Sequence, residues 1–145
     1  MKKIWTLAFA LVAATCLANG AEYVISKTPV APVREEPSHA AEQATQLLFG
    51  DLCEIVESKS GWTKIRATKD GQVGWVTTSM MTAVREEDVR QLEENRKANG
   101  EGVVAIPMAV ATDKKTGEKR MLTIGTRLPN YKKGSFEVLG RQYKI

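Results

Sequence analysis

The chain has 145 residues, room for two small modules at most, with 43% apolar and 26% charged side chains and a formal net charge of +4. Removing Lys2 and Lys3 from the 21 basic residues leaves 19 against 17 acidic ones, a near balance that excludes a nucleic-acid footprint. Cys16 and Cys53 are the only cysteines.

At the N-terminus, Lys2 and Lys3 precede an uncharged, mostly apolar stretch from Ile4 to Leu17, and Ala18-Asn19-Gly20 offers small residues where a signal peptidase cuts. This predicts a signal peptide over residues 1–20, a mature chain from Ala21 and a periplasmic or extracellular destination. An apolar run of about 14 residues is short of the roughly 20 that cross a bilayer, so no transmembrane anchor is expected after cleavage. Lipidation at Cys16 is the second option, but Ala13-Ala14-Thr15 before it fits a lipobox poorly. After cleavage Cys53 alone remains, and one thiol closes no internal disulfide.

Gly50, the stretch from Ser58 to Gly61, and Lys69-Asp70-Gly71 cut the next segment into short runs of strand-like composition. The expected strands are Tyr23 to Ser26, Leu47 to Leu48, Leu52 to Val56, Trp62 to Ala67 and Gln72 to Thr77. In the third, Cys53 and Ile55 share one face while Leu52, Glu54 and Val56 share the other. Asp70-Gly71 reads as a two-residue hairpin turn.

From Val84 to Asn99 the chain is highly charged, and Glu86 with Arg90 and Glu93 with Lys97 are acid-before-base pairs that support a helix. Its apolar content is thin, chiefly Val84, Val89 and Leu92, with Gly100 as the stop. This is a connecting helix resting on one module.

Strand signals return after Gly102, over Val103 to Ala111, Arg120 to Ile124, Ser135 to Leu139 and Gln142 to Ile145, with a turn at Lys115-Thr116-Gly117. The segment can be laid over the first module. Gly125 then falls where Gly50 does, Leu128 where Cys53 does, Gly134-Ser135 where Gly61-Trp62 do, Val138 where Ile65 does, Gly140 near Gly71 and Tyr143 near Trp75. A degenerate second copy and an unrelated hairpin extension both remain open. Residues 101–145 carry 9 basic and 4 acidic side chains, a face suited to an acidic partner or simply a set of solvated lysines.

Val33-Arg34, Pro37-Ser38, Gly50, Gly61-Trp62, Ile65, Asp70-Gly71 and Gly74-Trp75-Val76 together resemble the pattern of bacterial SH3 domains. The stretch from Arg34 to His39, continuing to Gln46-Leu47-Leu48-Phe49-Gly50, is most similar to the SH3 modules that precede NlpC-type peptidases acting on cell-wall peptides. With the strand and helix signals above, the resemblance predicts a mainly β chain: a small SH3-like barrel over 21–81, a charged helical linker over 82–100, and a degenerate SH3-like or hairpin β module over 101–145. The peptidase domain that follows in such enzymes is absent from this sequence. Gln72-Val73 also replaces the aromatic that often follows Asp-Gly there.

A cysteine peptidase pairs a thiolate with a histidine base. Cys53 sits in a core strand register and His39 on a loop, so no catalytic residue is expected and the chain is read as a non-enzyme. Zinc needs about four ligands of suitable spacing, which are missing, and no cofactor or metal is expected. Ser38 beside His39 makes no serine-type site.

The candidate ligand-binding residues are Arg34, Ser38, His39, Glu42, Trp62 and Trp75. Trp62 and Trp75 are structural first, and each can also present an edge on which a sugar or peptide bond stacks. Arg34 is read chiefly as holding its loop. Glu42 suits a free peptide amine, beside the plainer reading of a solvated carboxylate. The expected function is recognition of peptidoglycan or its stem peptides. The alternatives are a protein-interaction adaptor for a separately encoded envelope hydrolase or complex, and the targeting portion of a wall peptidase whose enzyme domain lies in a neighbouring gene.

Overall fold

The computed structural model describes residues 22–145; the expected export segment, with Cys16, lies outside them. Seven short strands build the first sheet: β1 Tyr23–Ser26, β2 Val30–Arg34, β3 Gln43–Leu48, β4 Leu52–Lys59, β5 Trp62–Ala67, β6 Val73–Thr77 and β7 Met81–Val84. They pair antiparallel in the order β3-β2-β6-β5-β4-β1-β7. Val24, Ala31, Val33, Leu47, Cys53, Ile65, Ala67, Val76 and Met81 form one buried cluster to which all seven strands contribute, so the sheet curls round it.

β4 alternates as its sequence predicts. Cys53 enters that core, and Leu52 faces a second one. A register shift between Ile55 and Glu57 then turns Val56 out to solvent. Asp70-Gly71 is not a two-residue turn. The β5 to β6 connection runs from Thr68 to Gln72, closed by Ala67 N–H donating to Gln72 O at 2.9 Å and Gly71 N–H to Ala67 O at 2.9 Å. Gly71 has a positive φ of 75° there.

Val84 belongs to β7, opposite Tyr23 of β1, so the first sheet extends past Met81 to Val84. Helix α1 spans Glu86–Asn99 and ends at Gly100, whose φ of 71° favours glycine. Its ion pairs differ from the expected ones. Arg96 meets Glu93 at 3.1 Å and Glu101 at 3.3 Å, because a partly buried arginine at the helix end can reach both. Leu92 is buried and Val89 packs beside it.

The expected strand from Val103 to Ala111 is broken. β8 is Glu101–Val103 and β9 is Met108–Asp113, and Pro107 between them offers no amide to a ladder. β10 Lys119–Thr123, β11 Arg127–Pro129, β12 Ser135–Val138 and β13 Arg141–Lys144 complete the chain. One sheet has the order β10-β9-β13-β12, and β11 pairs with β8.

These pairings repeat those of the first sheet. β8 with β11, β9 with β10, β9 with β13 and β12 with β13 correspond to β1 with β4, β2 with β3, β2 with β6 and β5 with β6. One turn recurs almost atom for atom. Gly50 N–H donates to Ser26 O and Ser26 N–H to Asp51 O, as Gly125 N–H donates to Val104 O and Val104 N–H to Thr126 O, all at 2.9 to 3.0 Å. Gly50 and Gly125 both have positive φ, 81° and 86°.

The second core joins the two halves. It gathers Ile25, Phe49, Leu52 and Val84 from the first sheet, Leu92 from α1, and Val104, Ala111, Leu122, Leu128, Phe136, Val138 and Tyr143 from the C-terminal segment. Phe49 meets Tyr143 edge-on at 5.9 Å, and Tyr143 stacks on Phe136 at 5.1 Å. Among the described residues no helix is long and apolar enough to cross a membrane.

Candidate binding face on the first module

The pleat of β5 sends Thr63, Ile65 and Ala67 inward and Trp62, Lys64 and Arg66 outward. On β6, Val76 is inward and Trp75 outward, and Trp75 lies opposite Lys64 on one side and Arg34 on the other. Arg34, Trp75 and Lys64 therefore make one cross-strand row on the outer face, with Trp62 next along β5.

β2 and β6 approach closely because residue 74 is glycine. A Cβ at Gly74 would stand 2.6 Å from Val33 Cγ1 and 2.9 Å from Arg34 O.

The connection between β2 and β3, residues 35–42, borders this row. Arg34 Nη1 donates to Ala41 O at 2.7 Å, and Glu35 N–H donates to Glu42 O at 3.0 Å, which together close the loop at its base. Ser38 Oγ accepts from Ala40 N–H at 3.2 Å and shapes the tip. His39, exposed, packs against Trp62 with ring centroids 4.9 Å apart and tilted by 56°. Glu42 is exposed where the loop returns to the sheet.

The six residues picked from sequence thus lie on one face and its bordering loop. Their parts differ. Trp75 is only 7% exposed and forms the floor, whereas Trp62, beside His39, is half-buried. Arg34 and Ser38 hold the loop through backbone groups. Lys64, with Nζ 5.8 Å from the Trp75 ring centroid, was not among the candidates. The alternation Trp62-Thr63-Lys64 puts it on the face of Trp62 and could have found it.

Cys53 lies elsewhere, in the first core, and its thiol is pushed up to about 12, first by burial and then by the nearby Asp51 carboxylate. A thiol held so far above neutrality supplies no thiolate nucleophile. Asp51 itself is buried, and its Oδ2 accepts from Leu48 N–H at 2.9 Å and from Lys69 Nζ at 2.7 Å, a structural role. Among the described residues no cluster of His, Cys, Asp and Glu is arranged to hold a metal.

Residues 33–80 match the family model described as the bacterial dipeptidyl-peptidase Sh3 domain. No curated protein matches the chain. The fold is similar to that of an NlpC/P60 family protein from Bacillus cereus ATCC 10987, at 13% identity and a TM-score of 0.64 over 84% of this chain and 53% of that one. It is also similar to an NlpC/P60 endopeptidase from Photobacterium damselae subsp. piscicida, at 21% identity and a TM-score of 0.61 over 83% of this chain and 29% of that one. The chain therefore spans about half the length of the first and under a third of the second. Shares above four fifths of this chain reach past residues 33–80, so the likeness of fold extends beyond the matched segment. Residues 33–80, a third of the chain, thus carry both the motif and the family match of a bacterial SH3 domain.

Proposed function

We propose that this is an exported, non-catalytic module that recognises peptidoglycan through its stem peptides, at the outer face of β5 and β6 and the loop 35–42. The observation that carries this reading is the half-buried Trp62, with His39 packed against its ring and Lys64 on the same face of β5. Such a face suits a short zwitterionic peptide. The ring takes a peptide bond or sugar, Lys64 meets a carboxylate, and Glu42 across the loop meets a free amine. The family match over residues 33–80 and the NlpC/P60 proteins of similar fold support a cell-wall context, and the charged start and apolar run of residues 2–17 support export. The inert environment of Cys53 supports a binding role. The repeated strand pairings support residues 101–145 as a degenerate second copy, joined to the first module by α1.

Co-sedimentation of Ala21 to Ile145 with purified sacculi at low and moderate salt tests the reading. Retention that persists as salt screens long-range charge is expected of a fitted groove. Binding that disappears at moderate salt would assign retention to the basic C-terminal segment alone, and no retention would contradict wall recognition.

A further inference from the structure

The β9–β10 hairpin carries Met108, Val110 and Met121 on its outer face. Met121 lies opposite Val110, and Thr123 opposite Met108, so the pleat puts these four on one face. The other face seats the hairpin on the rest of the protein. Ala111 and Leu122 enter the shared core with Ala109 beside them, Arg120 Nη1 donates to Lys27 O at 3.1 Å, and the Arg120 guanidinium lies 5.5 Å from the Phe49 ring centroid.

The outer face is left open. Met108, Val110 and Met121 are 54%, 50% and 50% exposed, and Ile106 and Ile124 at the base of the hairpin are 56% and 59% exposed. A sheet covered on one side ordinarily turns polar residues to water. Here Met108, Val110 and Met121 point out while Ala109, Ala111 and Leu122 point in, and exposed apolar side chains gathered on one face, with Ile106 and Ile124 near its base, mark an interaction surface. β10 is also the edge of its sheet.

Charge selects what covers it. Three of the four carboxylates of this segment are ion-paired, Glu101 with Arg96 and Arg127, Glu118 with Arg120, and Asp113 with Arg141, and the fourth, Glu137, accepts from Gln142 Nε2 at 3.1 Å. Lys119 and Lys144 flank Thr112 in one cross-strand row at the end of the apolar face, and Lys114 and Lys115 lie exposed on the adjoining turn. A second copy would bring like charges together. A bilayer is met most effectively by aromatic anchors, and this face has none. An apolar protein surface edged with carboxylates complements both features.

We propose that the outer face of the β9–β10 hairpin docks a separate protein whose contact surface is apolar at its centre and rimmed by Asp and Glu. This site is independent of the wall-binding face on β5 and β6.

The test places a photo-crosslinking amino acid at Val110, and as a control at exposed Val56 on the first module, in the full chain within the cells that make it. The expected result is a crosslink from position 110 and not from 56 to one other protein. Binding of that purified protein should weaken by about tenfold or more in Met108→Lys and Met121→Lys, and its on-rate should fall with salt. Both replaced side chains are half exposed, and circular dichroism checks that the variants fold. Crosslinks to another copy of this chain, equal crosslinking from both positions, no crosslink, or a partner whose affinity is unchanged in the variants would each overturn the proposal. So would sedimentation with phosphatidylglycerol vesicles that the same variants abolish.

Discussion

Cys53 and Trp62 both have residue types often found in functional sites, and their surroundings assign them opposite parts. Burial, reinforced by Asp51 and opposed by Lys69, raises the Cys53 thiol to about 12 from an ordinary value of 9.0. The folded protein should resist iodoacetamide at about pH 8 and react only once unfolded in urea. The folded-state value lies above the unfolded one, so this group's contribution to stability is present below 9.0 and is lost as pH rises toward about 12. Cys53→Ala should therefore flatten the alkaline limb of stability against pH, and an unchanged limb would contradict the assignment. The core register of Cys53 was legible in its alternation with Leu52. The difference between Trp62 and Trp75 was not, because it depends on which tryptophan Arg34 and Lys64 flank, a cross-strand fact that no local window contains.

At the scale of the element, Gly74 fixes how closely β2 and β6 approach and hence where Arg34 and Trp75 meet. Gly74→Ala should destabilise the protein by about 1 to 3 kcal/mol, as overpacking commonly does. Val33→Ala in the same chain should recover part of that loss by removing the nearer clash, while Arg34 O at 2.9 Å leaves the rest. Urea unfolding of the two single variants and the double variant measures this. Strict additivity would show that Val33 does not sense the new methyl group. Strands β1 and β5 could be read from composition to their ends, β5 because Gly61 and Lys69-Asp70-Gly71 bound it. β2 was hidden inside a motif containing Pro32, β7 looked like the start of the helix, and β8 and β11 are too short to show a period. The break before β9 follows from Pro107, a signal present in the sequence and outweighed there by the apolar run around it.

For the whole molecule, the shared core makes the two halves one folding unit. Phe49 reaches from the first module to Tyr143, and Arg120 reaches back over its ring. Phe49→Ala should cost about 3 to 5 kcal/mol and lower the melting temperature of both halves together, seen as a single calorimetric transition. Two separated transitions would show that the modules are independent. The overlay of the C-terminal segment on the first module, led by Gly125 on Gly50, was the sequence sign of this organisation. It could not show that the halves share a core, because the aromatic residues that join them lie about ninety positions apart along the chain, as contacts of high sequence separation do.

The wall-binding account is tested most directly by titrating the folded mature chain with a purified muropeptide while following tryptophan fluorescence, with Trp62→Phe and Trp75→Phe as companions. Trp62 is half-buried and Trp75 is buried, so a saturable change is predicted that Trp62→Phe abolishes and Trp75→Phe retains, with affinity falling in Glu42→Gln. A titration with no change, or one whose signal survives in Trp62→Phe, would contradict the placement of the ligand on this face.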